Sequence, residues 1–141
     1  MSKTGIKSLD HSPEGAAEWI NQVSEWLGGV DMGRAYLLLR TVLHAVRDWL
    51  NVDEAAQLAA QMPLLIKGVY FDGWNPSATP VSNRGKKDFV KRIESAFAKD
   101  PLDDVEGAIS AVFALLEEKI SPGEIDDVRN SMKQDLRDLW P

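Results

Sequence analysis

Apolar residues recur along most of this chain at spacings of three and four, and nowhere do they alternate with polar ones over the length of a strand. The pattern predicts an all-α protein; no Asn-Gly or Asp-Gly hairpin flanked by β-branched residues interrupts it. A first helix opens at Ser12-Pro13, a capping hydroxyl followed by proline where its missing N–H costs nothing. It carries Ala16, Trp19, Ile20, Val23, Trp26 and Leu27, and ends at Gly28-Gly29. A second helix runs from Asp31 or Gly33 to Leu50. At about 100° per residue, Leu38, Leu39, Val42, Leu43, Val46, Trp49 and Leu50 share one arc, with Arg40, His44, Arg47 and Asp48 opposite. A third begins at Asn51-Val52-Asp53-Glu54. This reads as a capping box, with Asn51 accepting from the Glu54 amide and Glu54 reaching back to the Asn51 amide. Pro63 should break it after Leu58 and Met62, so that Leu64, Leu65, Ile66, Val69 and Tyr70 form a short fourth segment.

The same succession returns 70 residues later. Residues 14–70 align with 84–140 without a gap, identical at Gly15/Gly85, Val42/Val112, Glu54/Glu124 and Met62/Met132. Apolar class agrees at Trp19/Phe89, Val23/Ile93, Leu27/Phe97, Leu39/Ile109, Leu43/Phe113, Leu50/Ile120, Leu58/Val128, Ile66/Leu136 and Tyr70/Trp140. Ser121-Pro122-Gly123-Glu124 repeats the capping box, and Ile125, Val128, Met132, Leu136 and Leu139 are expected on one straight helix. The expected fold is a helical bundle of two pseudo-repeated three-helix units. Residues 1–12 are a flexible polar tail, 13–70 the first repeat, 71–83 a connecting loop and 84–141 the second repeat. Units of this size sit near the lower limit for an independent core, so the two should pack as one compact body. Segment 63–70 is apolar on more than one side, which places it between the repeats or in a homodimer contact, with 133–140 outside.

Composition narrows the function classes. The 141 residues are 44% hydrophobic and 27% charged, the balance of a globular protein. The longest apolar stretch, Met62 to Ile66, falls far short of the roughly 20 residues a membrane span needs, so no membrane insertion is expected. A lysine-bearing start without an apolar core and the absence of cysteine point to a cytoplasmic protein. The net charge of −6 argues against nucleic acid as a partner. The basic run Arg84, Lys86, Lys87, Lys91 and Arg92 is interleaved with acids and reads as a solvated face. No cofactor, metal or catalytic residue is expected. The two histidines, His11 and His44, are far apart, no phosphate loop or nucleophile elbow occurs, and Asp103-Asp104 and Asp126-Asp127 are helical neighbours that do not face each other.

Two constellations remain. Arg40, His44 and Arg47 lie within about 60° of one another on the polar face of the second helix, where two guanidiniums and an imidazole could hold an anion or small ligand. The bland alternative is that they form ordinary salt bridges. Tyr70, Phe71 and Trp74, with Pro76 and Pro80, make a stiffened aromatic hinge whose Gly73 should take a positive φ. These rings either fold back over the core or, with Leu64 and Leu65, meet a protein partner.

Arg40, His44 and Arg47, Val52-Asp53-Glu54-Ala55-Ala56, Gln61-Met62-Pro63, Gly73-Trp74-Asn75-Pro76, Gly123 to Val128 and Leu136-Arg137-Asp138-Leu139-Trp140 together resemble the bacterial family known as domain of unknown function 2267. The resemblance extends from about Trp19 to Trp140. It implies an all-helical bacterial protein of two similar halves and carries no catalytic residue across; association of its members with stress-response gene sets implies a stress-related role. The expected function is that of a non-enzymatic interaction or stress-associated helical protein, with small-ligand or anion binding through the basic trio as the alternative.

Overall fold

Four helix starts in this protein are capped by short polar side chains. In the computed structural model, which describes residues 3–141, Asp31 accepts from the Arg34 amide, Asn51 from Glu54, Asp104 from Gly107 and Ser121 from Glu124. The helices are α1 (Lys7–Asp10), α2 (Ser12–Trp26), α3 (Met32–Trp49), α4 (Val52–Ala59), α5 (Leu64–Phe71), α6 (Lys86–Ala96), α7 (Val105–Lys119), α8 (Pro122–Asn130) and α9 (Gln134–Arg137), with one 3₁₀ turn at Pro76–Ala78. Among the described residues there is no strand, and no helix is long and apolar enough to cross a membrane. Gly28 and Gly29 end α2 as expected, at φ 86° and 85°, with the Gly29 amide donating to Ser24 O at 2.8 Å.

Three local expectations are corrected. Ser12 does not cap α2; its hydroxyl donates to Leu9 O, where the stretch expected as a tail forms the single turn of α1. The helix after Ser121 is not straight but breaks between Asn130 and Gln134. No proline forces this. Instead the Arg137 guanidinium donates to Met132 O and Asn130 O, replacing the donors that a continued helix would have supplied. The third correction concerns α5, which packs on α2 and α3 of its own half rather than between the halves. Pro63 turns the chain against α2, where a Cβ on Gly15 would lie 3.3 Å from the proline ring. That approach directs Ile66 and Tyr70 into the core and leaves Leu64 and Leu65 52% and 42% exposed.

The central element is α3, which packs against α2, α4, α5, α6 and α7. The halves meet where α3 crosses α6 and α7, where α2 meets α7, and where α4 meets α8. One apolar cluster joins them. Within it Trp49 meets Phe89 edge-on at 5.3 Å, Phe89 meets Phe113 at 5.9 Å, and Phe113 stacks on Trp140 at 4.1 Å. Polar contacts tie the same boundary: Arg34 binds the Asp100 carboxylate and the Asp100 and Pro101 carbonyls, Lys119 pairs with Glu18, and Gln61 bonds Ser121 through both its side-chain atoms. Because the aromatic chain spans both halves, Trp140→Ala should cost about 3–5 kcal/mol of stability. Urea unfolding followed by circular dichroism and by tryptophan fluorescence should still give one coincident transition.

Candidate functional site

A helix end leaves carbonyls without donors, and α5 ends beneath α3. Two side chains of α3 supply what is missing, and a third binds the carboxylate beside them. His44 Nε2 donates to Val69 O at 2.6 Å, Arg47 Nη1 donates to Tyr70 O and Asp72 O at 2.9 Å each, and Arg40 Nη2 reaches Asp72 Oδ2 at 3.1 Å. Arg47 also donates from Nε and Nη2 to the two oxygens of Asp48, and Arg92 of α6 binds the same carboxylate at 2.8 Å. The basic trio predicted from helical spacing is thus brought together, but around the protein's own oxygens. The expectation of a solvent-facing polar side of α3 is corrected here, since Arg47 is 4% and His44 9% exposed. The cause is the hinge, which the helical wheel could not place. Only Arg40 keeps substantial exposure.

Electrostatics follow from this burial. His44 is held below its ordinary pKa, first by desolvation, then by the positive charges of Arg47, Arg40 and Arg92, with the Val69 carbonyl opposing them. The shift favours the neutral imidazole, and because the Val69 carbonyl can only accept, Nε2 carries the proton. For Asp48, burial works against the charge, but hydrogen bonds and charges from Arg47 and Arg92 outweigh it and hold the carboxyl below its usual range.

The hinge folds back. Tyr70 is fully buried, its hydroxyl donating to Ala55 O at 2.8 Å, so it is removed from the candidate partner contacts. Phe71 and Trp74 lie half-buried against the core with ring centroids 5.3 Å apart, and Trp74 Nε1 donates to Thr79 Oγ1. Gly73 has φ 74°, as expected. The Val81 amide then donates to Asp48 O, pinning the far end of the loop to α3. Leu64 and Leu65 are left as exposed members of the predicted contact set.

One cluster escapes sequence reasoning. Glu54 and Glu124 were expected to reach back to their N-cap amides, yet the Ser121 amide donates instead to Gln61 Oε1. The two carboxyls meet across the α4–α8 contact, where Glu54 Oε1 and Glu124 Oε2 are buried without a hydrogen-bond donor. Carboxylate oxygens of Glu54, Glu124 and Asp127 lie within 4.8 Å of one another. The signal available in the sequence was the identity of Glu54 and Glu124 in the 70-residue alignment, which capping explained too readily.

Removing Arg47 orphans the Tyr70 and Asp72 carbonyls and leaves Asp48 partly unpaired. Arg47→Met should therefore cost about 3–5 kcal/mol in urea unfolding. Nitrogen-detected NMR should show His44 as the Nε2–H tautomer at pH 7. Because its folded pKa lies below the unfolded value, its neutral form supports folding above about pH 6.5, and that support fades as pH falls below it.

Comparison with curated proteins gives no match. A family model described as "Uncharacterized conserved protein (DUF2267)" matches residues 16–139, nearly the whole chain, and the protein belongs to that family.

Proposed function

We propose that this protein works by non-enzymatic protein–protein interaction, with Leu64 and Leu65 as the contact, on a scaffold of two copies of one helical unit offset by 70 residues. The observation that carries the reading is a helix with one side locked and the other bare. Ile66 and Tyr70 anchor α5 in the core and His44 and Arg47 of α3 bind its carbonyls at Val69 and Tyr70, while two adjacent leucines stand in solvent. The duplicated scaffold is supported by matching devices. Asn51 and Ser121 cap α4 and α8, and the carbonyls of Val69 and Leu139 receive donors from the preceding long helices, His44 of α3 in one half and Ser110 of α7 in the other.

The rival reading, an anion or small ligand on Arg40, His44 and Arg47, finds less support because these side chains already donate to protein oxygens. The groove of about 420 Å³ lined by Trp26, Leu27, Val30, Arg34, Leu102 and Asp104 contains none of the three. A stress-related role for the interaction is part of the proposal, and the only support for it is the resemblance to the bacterial family.

Two measurements test the contact. Sedimentation velocity should show concentration-dependent self-association, or a photo-crosslinking residue at position 64 should trap one discrete partner in growing cells. Leu64→Ser with Leu65→Ser should abolish either result while leaving the melting temperature within a few degrees. A monomer that crosslinks to nothing would refute the proposal. For the rival, titration with phosphate should move the His44 ring signals only if the trio is free to accept an anion.

A further inference from the structure

Like charges rarely share a desolvated contact without something to neutralise one of them. Glu54 projects from the first turn of α4 and Glu124 from the first turn of α8, and each buries one carboxyl oxygen that no donor reaches. The groups around them offer no relief. Asp127, on α8 itself, adds a third carboxylate to the cluster. From α5, Tyr70 brings a hydroxyl already given to Ala55 O. On α3, Arg47 and Asp48 bind each other, and on α7, Glu117 is held by Arg129 and Lys119 by Glu18. Arg129 itself spends its other arm on Asp126. Without a base, the remaining way to satisfy two facing carboxyls is a hydrogen between them.

We propose that Glu54 and Glu124 hold one proton between them across the α4–α8 contact, and that losing it drives these helices apart, so that this junction of the two halves responds to pH. In the protonated pair one carboxyl donates to the other, and both buried oxygens are then satisfied. Burial, then the hydrogen bond and charge of Glu54, then the charge of Asp127, push Glu124 up to about 7. A folded pKa raised above the unfolded value means that the folded state retains a proton the unfolded chain has released. The stabilisation is therefore complete below the ordinary carboxyl value of about 4.3 and is lost as pH rises through about 7. Ser121 and Gln61, which clasp the same end of α8, give the contact a second tie that does not titrate.

Carboxyl carbon NMR on the intact protein tests this directly. The Glu124 signal should titrate near pH 7 in the wild type and at a clearly lower pH in Glu54→Gln, where no second charge opposes it and burial alone still holds it above the ordinary value. Amide exchange in residues 52–59 and 122–130, corrected for intrinsic base catalysis, should rise about tenfold between pH 6 and pH 8, as the deprotonated fraction of a group titrating at about 7 rises from about a tenth to about nine tenths. It should stay flat in the Glu54→Gln, Glu124→Gln double variant. An ordinary Glu124 midpoint in the wild type overturns the proposal. So does a midpoint that Glu54→Gln leaves unmoved, since burial alone would then account for it, or a midpoint lowered by millimolar magnesium or calcium, since a cation rather than a proton would then be the natural bridge.

Discussion

A buried guanidinium holds the first half of this protein together. Arg47 is almost without solvent, a position that costs several kcal/mol unless every direction of the fork finds an acceptor. It finds them in one carbonyl in the last turn of α5, one just beyond it, and both oxygens of Asp48. Arg92 then binds Asp48, so a single network joins α3, the hinge and the first helix of the second half. Lysine could not replace it, because an ammonium lacks the planar geometry that serves two carbonyls and a carboxylate at once. The hinge is consequently a fixed part of the body rather than a tether.

The opposite electrostatic arrangement occurs at α4 and α8. There the helix-capping pattern sets a glutamate at the third position of each helix, and the two helices pack so that these equivalent positions meet. One contact of the halves is thus built on excess cation satisfied by backbone and carboxylate, and the other on excess carboxylate satisfied by nothing but itself. The two respond to pH in opposite senses. Acid weakens the first, through His44 and Asp48, and strengthens the second.

Much of the fold was legible in residue order because its signals are local. Asn51 and Ser121 cap helices through amides three residues away, Gly28 and Gly29 adopt positive φ where α2 stops, and the three-four spacing marks the buried faces of α2, α3 and α7. Trp26 is an exception on that apolar stripe, exposed because it is the last residue of its helix. The break before α9 was not legible, since it rests on Arg137 reaching back to Asn130 rather than on a proline.

What the sequence by itself determined is most of the helices, the Asn51 and Ser121 caps, the apolar faces and the grouping of Arg40, His44 and Arg47 on one side of α3. Each depends on neighbours within a turn or two. What the tertiary structure alone decided is the use of those groups. Whether a polar face meets water or another helix depends on where a hinge 25 residues away comes to rest, as the bond from Arg47 to Asp72 illustrates. Whether a capping glutamate points back to its own amide or into a facing glutamate depends on a contact between segments 70 residues apart. No periodicity carries that information, because it arises only when separate helices exclude water from the same space.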